Sequence, residues 1–223
     1  MSNDDVVKEI GKWPTGNIAD ALKAMGYMCV VNHEIRPIFV PINMAGRART
    51  IRYARSNRPG DSVNGVETKE DAKLGDVYVL AMGGYRHGDN TVWGENSATS
   101  IQLRGAVGTV IDGACRDTAA LRKMKFPVFC RAYSPGGGSS TFYPVAFDVP
   151  IVFGGVRVHP GDIIVGDDDG ICVIPQEIEE EAAKWIKAYG EKDSAVAPAL
   201  REGKSVAEAY SIKKDWVKKA GLK

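Results

Sequence analysis

The sequence predicts an α/β protein: a layered αββα sandwich over residues 1–175, followed by a helical extension over residues 176–223. Three observations carry this reading. Short apolar runs broken by glycine fill residues 35–175, the pattern of buried strands. Two segments of helical spacing separate the first three of those runs, the rhythm of strand–helix–strand units that pair in parallel. Beyond Pro175 the apolar period lengthens to that of an amphipathic helix.

In chain order, residues 5–25 read as helical. Thr15 or Asn17 is placed to cap "PTGNIADALKAMG", Ile18, Ala21, Leu22 and Met25 follow at helical spacing, and Gly26 stops it. Strands are expected at "VYVLA" (77–81), "AVGTVI" (106–111), "FPVFC" (126–130), "VPIVF" (149–153), "GVRV" (155–158), "DIIVG" (162–166) and "GICVIP" (170–175). "NSATSIQLRG" (96–105) reads as a crossover helix with Ala98, Ile101 and Leu103 facing inward, and "TAALRKMKF" (118–126) as a second. The later strands are joined by "GG" and "HPGD", so they should be antiparallel or form a second layer. Ile178, Ala182, Trp185, Ile186 and Tyr189 make one apolar stripe, with Gly190 and Pro198 as interruptions and Val206, Tyr210 and Val217 on a last short helix. Such a stripe docks on a neighbouring subunit or packs on its own domain, and the sequence leaves both open.

Composition excludes several classes. Apolar residues make up 44% and charged residues 26% of 223, and the net charge is +1, so no electrostatic footprint of nucleic acid or anionic membrane is present. The polar start "MSNDDVVKEI" is not a signal peptide, and no apolar run approaches the ~20 residues of a membrane span. Four cysteines lie far apart without paired spacing, which points to reduced thiols in a cytoplasmic protein.

The chemistry concentrates in two segments. "GTVIDGACRDTAAL" (108–121) carries Arg116 and Asp117 to the end of an apolar strand, and "VWGENSATS" (92–100) places Glu95 at another strand-to-helix turn. In α/β sheets, ligands sit beyond the carboxyl ends of strands, and a helix start offers main-chain N–H groups to anions. Asp117 reads equally as a helix cap and as a site carboxylate. With Arg116, Glu95 and the N–H groups of Asn96 and Ser97, it would make a small site for a divalent metal and a keto acid. "GDDDG" (166–170) reads as a tight turn rather than a metal site, and "GGGSS" (136–140), lacking a P-loop lysine, as a loop. "MGGYRHG" (82–88) is no dinucleotide fingerprint, and His87 lines the pocket or lies on the surface.

Twenty residues separate Glu95 from Arg116, and Asp117 follows directly. This spacing, together with "NIADAL", "AGRART", "LGDVYVLAMGG", "FPVFCRAYSP" and "VHPGDIIVGDDDGICVIP" in order, resembles the RraA-like family. That family includes class II pyruvate aldolases acting on 4-hydroxy-4-methyl-2-oxoglutarate and 4-carboxy-4-hydroxy-2-oxoadipate. The resemblance implies a fold of the swivelling β/β/α type, trimers or hexamers with sites between subunits, and Mg²⁺ or Mn²⁺ as cofactor. It implies that Asp117 holds the metal, Arg116 contacts the keto acid and its enolate oxygen, and Glu95 orients metal-bound water. The turn at Gly94, Asn96 and Ser97 would receive the pyruvyl carboxylate, and Glu191 of another subunit would complete the metal site. Oxaloacetate decarboxylation would be a side activity. The alternative within the same resemblance is a non-catalytic regulator of an RNA-degrading endonuclease. Two departures stand out: Asn96 and Ser97 replace residues that are often apolar, and the insertion 58–73 is unfamiliar.

Overall fold

The computed structural model describes residues 3–55, 65–86, 89–137 and 142–211. His87, Ser139, Ser140, Val217 and the first part of the insertion, residues 58–64, lie outside them. The elements are α1 (Asn3–Ile10), α2 (Thr15–Ala24), β1 (Arg36–Pro37), β2 (Asn43–Arg55), α3 (Gly65–Glu70), β3 (Asp76–Met82), α4 (Glu95–Gln102), β4 (Gly108–Cys115), α5 (Thr118–Met124) and β5 (Val128–Tyr133). There follow β6 (Phe142–Phe147), β7 (Ile151–Phe153), β8 (Val156–Val158), β9 (Ile163–Asp167), β10 (Ile171–Ile174), α6 (Glu179–Ser194), α7 (Val196–Arg201) and α8 (Val206–Ser211).

One mixed sheet runs β1-β5-β4-β3-β2-β9-β10, and β6 pairs with β2 as well. Strands β2, β3, β4 and β5 are parallel and joined through α3, α4 and α5, as strand–helix–strand units require. β2 turns the sheet. Its first half pairs antiparallel with β9 and its second half with β6, while β3 runs along its other edge. The expected second β layer is thus the same sheet curled through β2, together with the separate hairpin β7–β8. Gly154 and Gly155 both take positive φ in that hairpin's turn, where a side chain would be strained.

Alternation along β3 divides the core in two. Val77, Val79 and Ala81 face a cluster with α1, α2, α6, β9 and β10, and Tyr78, Leu80 and Met82 face a cluster with α4 and α5. Helices therefore cover both faces.

Three local expectations are corrected. Neither Thr15 nor Asn17 caps α2, because Pro14 holds the cap position and Thr15 is the first helical residue. Thr15 instead gives its main-chain N–H and its hydroxyl to Asp167, at 2.8 and 2.6 Å, so the cap arrives from the "GDDDG" turn. Asp168 of that turn accepts the N–H of Ile42 at 2.7 Å, which confirms a structural turn. Leu103 is 81% exposed, because α4 ends at Gln102 before its side chain can turn inward.

Gly190 does not interrupt its helix: α6 continues to Ser194, and a Cβ at Gly190 would lie 2.0 Å from the Trp13 ring. Glycine there admits the indole. The stripe Ala182, Trp185 and Ile186 is buried in the chain's own core against α1 and α2. Arg47 on β2 fastens the start of α6 through a two-pronged ion pair with the buried Glu179, one N–H···O contact being 3.0 Å. Among the described residues no helix is long and apolar enough to cross a membrane.

Candidate functional site

Arg116 and Asp117 follow the last residue of β4 and precede the first of α5. The main chain is pinned on both sides. Arg116 gives its N–H to the Trp93 carbonyl at 3.0 Å, and the Cys115 carbonyl accepts the Ser134 N–H at 3.1 Å. Asp117 occupies the cap position of α5 in the left-handed region, φ 56° and ψ 32°, and makes no capping hydrogen bond. A non-glycine residue there costs free energy, and such strain gathers at functional sites. The cap reading of Asp117 is therefore set aside: its carboxylate turns away from its own helix and accepts the N–H of Glu95 at 3.1 Å.

That contact joins the second segment to the first. The first i→i−4 bond of α4 runs from the Ala98 N–H to the Gly94 carbonyl. The N–H groups of Glu95, Asn96 and Ser97 thus have no partner within the helix. Glu95 spends its own on Asp117, while Asn96 and Ser97 line a cavity of about 260 Å³ together with Gly94, Arg116 and Asp117. Asp117 also stands 3.4 Å from Nε of Arg116, the two side chains being 39% and 44% exposed. At that exposure the pair itself adds at most about 1 kcal/mol of stability.

Two glycines hold the pair by their lack of a side chain. A Cβ at Gly94 would lie 2.4 Å from Oδ2 of Asp117 and 3.0 Å from Cγ of Arg116. A Cβ at Gly137 would lie 1.7 Å from a terminal guanidinium nitrogen of Arg116. Gly137 is brought there by its bridge to Thr91, reinforced by the Thr91 N–H to the Gly136 carbonyl at 2.8 Å.

Much of the remaining wall is apolar, with Ile51 and Tyr53 of β2, Trp93, and Phe142 and Phe147 of β6, and Thr68 and Thr91 add hydroxyls. Burial pushes the Tyr53 hydroxyl well above its ordinary range, so it stays neutral. Sequence reasoning missed Lys69 of α3, which also lines this cavity. It sits in the unfamiliar insertion, and no local signal set it apart from its polar neighbours. Glu95 has its side chain exposed beside the cavity. Glu191 is exposed on α6, on the opposite face of the sheet, and does not join the site of its own chain.

Among the described residues no three His, Cys, Asp or Glu side chains gather to hold a metal. The donor set is one carboxylate, Asp117, whose Oδ1 takes no hydrogen bond among them. A single oxygen ligand in a partly exposed setting fits Mg²⁺ or Mn²⁺, which keep several waters, and does not fit zinc.

The RraA-like family model, Aldolase/RraA, matches residues 15–173. The chain belongs to the RraA-like family. A relative from Halalkalibacterium halodurans, which carries the provisional name 4-hydroxy-4-methyl-2-oxoglutarate aldolase, is 32% identical over 92% of this chain and 93% of its own length. The 4-hydroxy-4-methyl-2-oxoglutarate aldolase of Thermus thermophilus is 33% identical over 59% of this chain and 76% of its own. The crystal structure of Streptomyces coelicolor RraAS2, described as an unusual member of the RNase ES inhibitor RraA protein family, has 25% identity and a TM-score of 0.79. It covers 88% of this chain and 98% of its own. The mixed α/β fold with a curled sheet is therefore that of the RraA-like proteins.

Proposed function

We propose that this RraA-like protein is a divalent-metal-dependent lyase that cleaves a 4-hydroxy-2-oxo acid to pyruvate and also decarboxylates oxaloacetate. The observation that carries the reading is the Asp117 carboxylate, held in strained backbone between the Glu95 N–H and the Arg116 guanidinium at the mouth of one cavity. The aldolase names of two relatives support it.

In this reading the main-chain N–H groups of Asn96 and Ser97 receive the carboxylate of the 2-oxo acid. Arg116 donates to the 2-keto oxygen. Asp117 holds Mg²⁺ or Mn²⁺, which when bound supplies Lewis acidity for charge developing on that oxygen. Glu95 orients the water that takes the proton of the C4 hydroxyl. The C3–C4 bond breaks, C4 becomes a carbonyl carbon, and the bonding pair moves into the enolate of pyruvate. Protonation at C3 then gives pyruvate. Oxaloacetate loses CO₂ to the same enolate. A preorganised donor facing a developing oxyanion contributes roughly 3–4 kcal/mol, and Arg116 has that task.

Glu191 has no place in the site of its own chain, so its proposed part is in the site of a second copy. The assembly that allows this is a closed homo-oligomer, a trimer or a pair of trimers.

The likeness to RraAS2 supports a second reading, a non-catalytic regulator of an RNA-degrading endonuclease. One assay separates the two. Pyruvate release from 4-hydroxy-4-methyl-2-oxoglutarate and from oxaloacetate is followed with Mg²⁺, with chelator, and with metal restored. The lyase reading expects release, loss and recovery. No release from either substrate in saturating Mg²⁺ or Mn²⁺ would favour the regulator.

A further inference from the structure

Lys69 is the second cation of the cavity. It comes from α3, within the insertion, whereas Arg116 comes from the end of β4. Its ammonium lies 5.9 Å from the centroid of the Trp93 ring, and Trp93 is the residue whose carbonyl holds the Arg116 N–H. Lys69 is half-buried, and among the described residues its ammonium has no carboxylate partner and no hydrogen bond. Burial pushes its pKa below the ordinary lysine value. The indole N–H of Trp93, fully buried in the same wall, also has no acceptor among the described residues.

The helix that carries Lys69 is firmly seated. Tyr78 of β3 donates its hydroxyl to the Thr68 carbonyl at 2.5 Å, and Arg104 donates to the Glu70 carbonyl at 3.2 Å. Both neighbours of Lys69 are therefore tied to the body of the protein. A half-buried ammonium with no counter-ion costs free energy that a bound anion recovers.

We propose that Lys69 is a specificity-determining residue: it binds a second, distal carboxylate of the substrate, so that the site selects 2-oxo dicarboxylates over 2-oxo monocarboxylates. This rests on the keto-acid reading of the Arg116 end. One carboxylate takes the Asn96 and Ser97 amides and Arg116, and the other takes Lys69, with the chain between them against Ile51, Tyr53 and Phe142. The cavity, at about 260 Å³, is below the usual 300–1,000 Å³ of drug-sized ligands and suits a molecule of this small size.

The test uses matched, non-cleavable ligands in saturating Mg²⁺, with affinities read by calorimetry. 2-Oxoglutarate and 2-oxopentanoate share chain length and differ in the distal carboxylate, and oxalate occupies the Arg116 end alone. The native protein is expected to prefer 2-oxoglutarate to 2-oxopentanoate by about ten- to a hundredfold, the range of a hydrogen bond to a charged group. Lys69→Met keeps the apolar stem over Trp93 and is expected to erase that preference, with oxalate and 2-oxopentanoate affinities unchanged. Lys69→Glu is expected to favour the monocarboxylate. A Lys69→Met variant that keeps the preference, a native protein that shows none, or an equal loss of oxalate affinity in the variant would each overturn the proposal. Native protein that binds none of the three ligands would instead overturn the keto-acid reading on which it rests.

Discussion

The main-chain N–H of Glu95 donates to Oδ2 of Asp117 at 3.1 Å, joining the first turn of α4 to the residue before α5. The two residues lie on different crossover connections of the sheet. This bond fixes the distance between the proposed carboxylate-binding amides and the proposed metal ligand, and it draws Asp117 away from its own helix.

Asparagine tolerates the left-handed backbone that Asp117 adopts, and its side-chain oxygen still accepts the Glu95 N–H. Asp117→Asn is therefore expected to unfold within a few degrees of the native protein while losing Mn²⁺ binding and pyruvate release. Calorimetry with Mn²⁺ and a thermal melt read the two effects separately. A variant with native Mn²⁺ affinity would remove Asp117 from the metal site.

Gly94 and Gly137 guard the same pair by sterics alone. A methyl group at Gly137 forces the Arg116 guanidinium aside, and one at Gly94 displaces the Asp117 carboxylate. Gly137→Ala is expected to lower kcat for oxaloacetate at least roughly tenfold, since a misplaced donor loses much of its contribution, while stability holds. Gly94→Ala is expected to weaken Mn²⁺ binding as well. Steady-state kinetics with a melting curve for each variant check this.

Helix α6 belongs to the core. Trp185→Ala removes a buried indole from the cluster with α1 and α2 and is expected to cost about 3–5 kcal/mol in urea unfolding. Deleting residues 176–223 removes the whole helix and is expected to give misfolded protein rather than an active monomer. Soluble, native-like truncated protein in circular dichroism would contradict this.

Much of the fold was legible in the sequence because β-strands buried on both faces leave continuous apolar runs, such as those around Val79 and Val110. The Arg116–Asp117 pair drew attention as two charges directly after a buried strand, although the sequence left Asp117 equally readable as a helix cap. Features that depend on distant partners were not. Thr15 looked like a cap, but the capping carboxylate comes from Asp167. Gly190 looked like a break because its reason is the Trp13 ring, far away in sequence. β2 showed only as the family piece "AGRART", since its arginines hide the 13-residue length that curls the sheet. Lys69 was missed because only tertiary structure shows that an exposed-looking lysine enters an apolar wall.

The proposed assembly rests on the part given to Glu191 in the site of a second copy. Sedimentation is expected to give a trimer or a pair of trimers. Mixing Arg116→Ala with Glu191→Ala subunits is expected to restore part of the lost activity if a second copy supplies Glu191. A monomer in sedimentation would contradict this part of the account.

The substitution Arg116→Lys tests the central claim most directly. Lysine keeps the charge but lacks the planar two-pronged donor. If Arg116 faces the keto acid and its enolate oxygen, the variant keeps its melting temperature and Mn²⁺ affinity, loses about a hundredfold or more in kcat for oxaloacetate decarboxylation, and binds oxalate more weakly. Near-native turnover with unchanged oxalate affinity would contradict the account and reduce the Arg116–Asp117 pair to a surface salt bridge.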